Sequence, residues 1–150
     1  MPAKKTLRQI IEASDRCILV PCVYDCASQR AMEMVGFPVT LLSGGEVSLS
    51  YNGMIDYGFT GLSDLEHVVS RVTASSGIPL IADIEDGFGG PLAVYRSARV
   101  LSRAGAAAIQ LEDSSDMEES TGLLPREKYL AKVKAAVEGL KGTDCMLIAR

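Results

Sequence analysis

Asp83 and Glu85 stand two residues apart at the end of an apolar run, and Glu112 follows a second such run, Ala107–Leu111. In an extended chain, residues i and i+2 project to the same side, so the first two carboxylates are expected to share one. If the two runs are neighbouring strands, Glu112 reaches the same point. Three carboxylates gathered in a partly buried space need a cation to remain ionised together. No suitable His or Cys lies near them. A ligand set of oxygens alone selects Mg²⁺, with Mn²⁺ as a substitute, and Mg²⁺ keeps several of its waters. The competing reading is structural: the acids pair with Arg96, Arg99 or Arg103, or cap a helix beginning near Leu92.

Two glycine clusters add to the inventory. Ser43-Gly44-Gly45 consists of small residues that let the backbone approach a ligand carboxylate, although the same string also serves as a plain loop. Gly87-Phe88-Gly89-Gly90 precedes a helical segment, where backbone N–H groups can cradle a phosphate or simply turn the chain. His67, the single histidine, falls inside a helical pattern and is expected to pack or face solvent.

These residues must be positioned by the elements around them. Short, nearly all-apolar runs at Ile18–Val23, Val39–Leu42, Pro79–Ile84, Ala107–Leu111 and Met146–Ala149 read as strands buried on both faces of a parallel sheet. Amphipathic stretches between them, Cys26–Val35, Ser63–Ala74, Leu92–Ala104 and Arg126–Leu140, read as helices, with a further helix near Thr6–Ala13. Gly36, Gly77 and Gly105 follow three of these helices, and Pro125 opens the last. The pattern is an α/β fold with right-handed crossovers. An open doubly wound sheet usually carries a glycine-rich turn after its first strand, whereas the turn here is Tyr24-Asp25-Cys26. That favours a (β/α)8 TIM-type barrel, of which this chain supplies the N-terminal portion, about five βα units in one domain over residues 1–150. In either architecture ligands bind at the carboxyl ends of the strands. Those ends carry Tyr24, Asp25, Ser43–Glu46, Asp83, Glu85, Asp86, Glu112, Asp113 and Arg150, while the opposite ends carry far less charge.

Composition narrows the partners. The formal net charge of −4 argues against nucleic acid, which demands a surplus of Lys and Arg, but an acidic protein binds an acidic substrate when a divalent cation mediates. No apolar run approaches the roughly 18 residues of a membrane span, and Met1–Lys5 lacks the apolar core of a signal peptide. Cys17, Cys22, Cys26 and Cys145 match no zinc spacing and read as small apolar fillers in a reducing cytoplasm.

Five segments in register carry a family resemblance. Pro21–Cys26, Ser43-Gly44-Gly45, Ala82–Gly89, Ala104-Gly105-Ala106 through Leu111-Glu112-Asp113, and Ile148-Ala149-Arg150 look like successive signatures of the isocitrate lyase/phosphoenolpyruvate mutase superfamily. The resemblance implies a closed (β/α)8 barrel, a homo-oligomer, and Mg²⁺ held by Asp83, Glu85 and Glu112, with Asp56 acting through water. It also implies a substrate carboxylate gripped by Ser43 and the Gly44 and Gly45 backbone, and Arg150 on the carboxylate or phosphonate end. The leading expectation is a Mg²⁺-dependent lyase that splits a C–C bond of a small 2-oxo or 2-hydroxy acid through an enolate, with Tyr24 as candidate acid/base. The rivals are P–C chemistry on phosphonopyruvate and a non-catalytic remnant that binds a metabolite or assembles with partners.

The sequence also departs from the family. Isocitrate and methylisocitrate lyases resembling it carry a catalytic Cys after strand four, but Ser114–Gly122 has neither Cys nor His, so those activities are not expected. The Lys and Asn of the mutase gating loop are missing from the same stretch, and Glu85 replaces the commoner Asp. Family enzymes continue beyond the strand that ends at Arg150, and five strands alone leave two unpaired edges.

Overall fold

Five short parallel strands pair side by side in the order in which the chain makes them: β1 Cys22–Val23, β2 Thr40–Leu42, β3 Leu80–Asp83, β4 Ala108–Leu111 and β5 Met146–Ala149. The computed structural model describes residues 5–114 and 122–150. A doubly wound sheet reverses its strand order at a switch point, and this one does not. Its helices are α1 Leu7–Glu12, α2 Cys26–Val35, α3 Gly44–Val47, α4 Leu62–Ser75, α5 Pro91–Arg103 and α6 Arg126–Leu140, and α3 runs on into a π-turn, Ser48–Asn52. Every expected strand and helix is present, β1 to β4 trimmed at their ends and β5 at the expected bounds. The sequence reading missed α3 with its π-turn, because two glycines at its start resemble a loop.

The register sorts side chains into two environments. Val23, Leu42, Ala82, Ile109 and Leu147 lie in one row across the sheet, against Leu65 and Val69 of α4, Val94 and Leu101 of α5, and Ala136 of α6. The adjacent row, Cys22, Leu41, Ile81, Ala108 and Met146, faces the opposite side, where Leu7 of α1 joins Val39, Ile81 and Ala108 in a second, smaller cluster. Burial on both faces explains why the strands read as continuous apolar runs.

Helix ends follow the local chemistry. Asp25 caps α2, its Oδ1 accepting from the Ser28 N–H at 2.7 Å, and Gly36 closes that helix in the left-handed region at φ +97°. Gly77 does not play the expected part: α4 ends in extended backbone at Ser76, and the Gly77 N–H instead donates to Glu33 of α2 at 2.8 Å. A buried chain of polar side chains, Thr40 to Gln29 to Ser76, ties β2, α2 and the end of α4 together. The cysteines are not uniformly fillers, since Cys17 and Cys22 are exposed.

Candidate active site at the carboxyl ends of the strands

Asp83 is the last residue of β3, and only 13% of its side chain is exposed. Burial holds its carboxyl above the ordinary carboxylate range, opposed by the Glu85 N–H that bonds Oδ1 at 3.1 Å, by Arg150 and by Gln110, while Asp56 adds to the rise. A buried acid that gives up its proton reluctantly is stabilised as an anion by an incoming cation. In this structure the nearest positive charge belongs to the side chain that follows β5. Arg150 Nη1 forms an ion pair with Glu112 and lies 4.0 Å from Asp83 Oδ2, so acids from two strand ends face one cationic position. The guanidinium is 61% exposed, so solvent screens the pair and it contributes little to stability.

Glu85 departs from the expected geometry. The strand ends at Asp83, and Glu85 takes a left-handed conformation at φ +50°, so the rule that i and i+2 share a side does not apply. Its carboxylate lies against α3 instead: a β-carbon on Gly44 would meet Glu85 Oε1 at 2.7 Å. A β-carbon on Gly45 would meet Asp56 Oδ2 at 3.1 Å. The two glycines therefore make room for two of the acids. Among the described residues no group of three or more His, Cys, Asp or Glu side chains stands close enough to hold an ion unaided. Of the three acids expected to ligate together, Asp83 points to the carboxyl end of the sheet, Glu85 turns away from the strand direction toward α3, and Glu112 engages Arg150. Among the described residues the counter-charge to Asp83 and Glu112 comes from Arg150 and not from Arg96, Arg99 or Arg103; Arg99 packs over the Tyr95 ring.

Asp56 and Glu85 line a cavity of about 650 Å³, together with Tyr57, Thr60, Asp86 and Phe88. The loop bearing Asp56 is fastened at both ends, by the buried Ser48 hydroxyl donating to the Ile55 carbonyl at 3.3 Å and by Asn52 donating to Thr60 at 3.2 Å. Ser43 precedes α3 and its hydroxyl bonds Glu46; the Gly44 and Gly45 amides begin the helix, where no preceding carbonyl of the helix can take them. Gly87 is required by packing and by its left-handed backbone, since a β-carbon there would strike the Val94 side chain. The Phe88 N–H already bonds Asp86 Oδ1 at 2.8 Å, so the turn holds its own carboxylate in place of the phosphate considered from the sequence.

Tyr24 does not line the acidic cavity; it borders a separate pocket with Asp25, Tyr51, His67 and Arg71. His67 is exposed and accepts from Arg71 at 2.9 Å, as expected of a surface residue. Cys22 was overlooked as a neighbour of the acids: partial burial, then the charges of Glu46 and Asp83, push its thiol up. Lys132 of α6 was overlooked too. It is 7% exposed and bonds Asp86, and the signal for it was a lysine within the apolar stripe of Tyr129, Val133 and Ala136. The loop considered for lyase and mutase signatures lies, at residues 115–121, outside the described residues.

The family model for phosphoenolpyruvate phosphomutase matches residues 7–150. This chain belongs to the phosphoenolpyruvate phosphomutase family. Within that family and its superfamily, oxaloacetate decarboxylase of Bradyrhizobium sp. (strain ORS 278) is 31% identical over 98% of this chain and 52% of its own length. Among solved structures, oxaloacetate acetylhydrolase in complex with the product oxalate superposes with a TM-score of 0.90 at 32% identity, over 99% of this chain and 53% of that one. Phosphonopyruvate hydrolase in complex with oxalate and Mg²⁺ superposes with a TM-score of 0.84 at 29% identity, over 90% of this chain and 47% of that one. The chain thus spans about half the length of the curated relatives it matches. Among the described residues no helix is long and apolar enough to cross a membrane.

Proposed function

We propose that the protein carrying this chain is a divalent-metal-dependent lyase that breaks a C–C bond in a small 2-oxo or 2-hydroxy acid through an enolate. The observation that carries the reading is the buried Asp83 carboxylate at the carboxyl end of β3, set opposite the exposed Arg150 guanidinium that follows β5 on the far side of β4. The donor set fits Mg²⁺ or Mn²⁺: Asp56, Asp83, Glu85 and Glu112 offer oxygens alone, and Mg²⁺ is commonly held by one or two carboxylates with waters completing the shell. Asp83 would bind directly, with Asp56, Glu85 and Glu112 holding the ion through water. The ion would supply Lewis-acid charge at the acid's 2-oxygen, where negative charge builds as the bond breaks. The ligands bound in two related structures, oxalate in one and oxalate with Mg²⁺ in the other, support this reading, because planar oxalate resembles that enolate.

The chain's own residues supply orientation. Arg150 swings from Glu112 to the substrate carboxylate, which its planar fork can grip bidentately. The Gly44 and Gly45 amides and the Ser43 hydroxyl bind a carboxylate at the start of α3. The five strands belong to a closed (β/α)8 barrel in this proposal, and its partners are further copies of the chain in a cytoplasmic homo-oligomer. P–C chemistry on phosphonopyruvate is the second reading, favoured by the likeness to phosphonopyruvate hydrolase. Assays of the intact protein with oxaloacetate, 2,3-dimethylmalate and phosphonopyruvate separate the two. Turnover of a C–C substrate is expected, and turnover of phosphonopyruvate alone would reject the first reading.

A further inference from the structure

Lys132 carries an ammonium into the apolar stripe of α6, where Nζ donates to the Asp86 main-chain carbonyl at 2.7 Å and to Asp86 Oδ2 at 3.0 Å. The same carboxylate accepts the Phe88 N–H through its other oxygen at 2.8 Å. On either side of this grip the backbone is left-handed at non-glycine residues, φ +50° at Glu85 and φ +64° at Phe88. Such conformations persist only where the surroundings over-determine them, and they gather at functional sites. Here the fixed points are the Glu112 N–H on the Glu85 carbonyl at 2.7 Å, the Gly87 N–H on the Ile84 carbonyl at 2.7 Å, and the Lys132 ammonium. Asp86 lines the acidic cavity while Lys132 does not, so the lysine acts through Asp86 and cannot touch a bound acid there.

We propose that Lys132 is a positioning residue for Glu85: by gripping both the carbonyl and the carboxylate of Asp86, it locks the turn that delivers the Glu85 carboxylate beside Gly44. A buried ion pair adds little net stability compared with apolar side chains of equal volume, so the effect belongs to the geometry of the turn. The inference rests on the metal-dependent reading above, in which Glu85 holds the ion through water. Residues behind a metal's ligands set affinity by fixing orientation.

The test uses the intact protein as parent, Lys132→Met, and the double variant Lys132→Met/Asp86→Asn. Mn²⁺ binding is read by electron paramagnetic resonance and turn rigidity by amide hydrogen exchange at residues 85–88. Lys132→Met is expected to bind Mn²⁺ about tenfold more weakly and to exchange faster at those amides. The double variant removes the stranded carboxylate, so it is expected to recover the parental melting temperature while Mn²⁺ affinity and exchange stay impaired. Parental Mn²⁺ affinity in either variant overturns the proposal. A parent that binds no Mn²⁺ defeats the metal reading instead; the latch is then decided by exchange alone, faster in Lys132→Met supporting it and unchanged overturning it.

Discussion

At Gly44 one added carbon would meet Glu85 Oε1 at 2.7 Å, and at Gly45 one would meet Asp56 Oδ2 at 3.1 Å. A methyl group at the first position must therefore displace a carboxylate, whereas the backbone there is ordinary helix and tolerates alanine. Gly44→Ala is expected to lower kcat/KM by about tenfold or more, as loss of an oriented metal-site carboxylate does, with little change in melting temperature. Steady-state kinetics beside a thermal scan checks both halves of that statement. At this scale the sequence was informative about residue identity and poor about direction. Asp83, Glu112 and Arg150 were found because strand ends at the carboxyl side carry the charge. The orientation of Glu85 was not legible, since a left-handed non-glycine residue leaves no trace in residue type. Arg150 as partner to two of the acids was likewise hidden, because it stands 38 residues from Glu112 and pairs only once β4 and β5 are adjacent.

Helix α2 shows how an element is held in place beneath the site. Asp25 accepts from the Ser28 N–H and the Ser28 hydroxyl, and the Ser28 hydroxyl in turn accepts from the Asp25 N–H. The Ser28 bonds hold the Asp25 carboxyl below its ordinary value of 3.8. A depressed carboxyl contributes stability that is present above the unfolded value and is lost as pH falls through the folded one. Asp25→Ala is expected to remove about 1 kcal/mol at neutral pH, the usual worth of a helix cap. The difference from the parent should shrink below about pH 4, as the parent's own cap becomes protonated. Urea unfolding at pH 7 and pH 3 measures it, and an equal difference at both values would contradict the assignment. Periodicity located α2 and α6 at their observed bounds, whereas α3 and its π-turn were missed because Gly44-Gly45 masks a helical start. Gly139 inside α6 also carried no readable reason until packing supplied one: a β-carbon there would strike the Tyr95 carbonyl at 2.7 Å and the Ala98 β-carbon at 2.9 Å, so glycine lets α5 and α6 approach.

Taken whole, the molecule orders β1 to β5 consecutively and parallel, with α4, α5 and α6 packed on one row of strand side chains and α1 beside the other. The alternation of apolar runs and amphipathic stretches made the α/β class readable; strand order was not legible from that periodicity and was expected only through the glycine-free turn after β1, which favoured a barrel over a doubly wound sheet. The consecutive order brings the ends of β3, β4 and β5 together, and with them Asp83, Glu112 and Arg150. The central claim is that this corner binds a divalent cation together with a small planar dicarboxylate. The most direct measurement is a calorimetric titration of oxalate into the intact protein, with Mg²⁺ present, with Mg²⁺ chelated, and in an Asp83→Asn variant that remains folded. Oxalate should bind the parent only when Mg²⁺ is present and should fail to bind the variant. Equal binding with Mg²⁺ chelated, or undiminished binding by Asp83→Asn, would contradict the account.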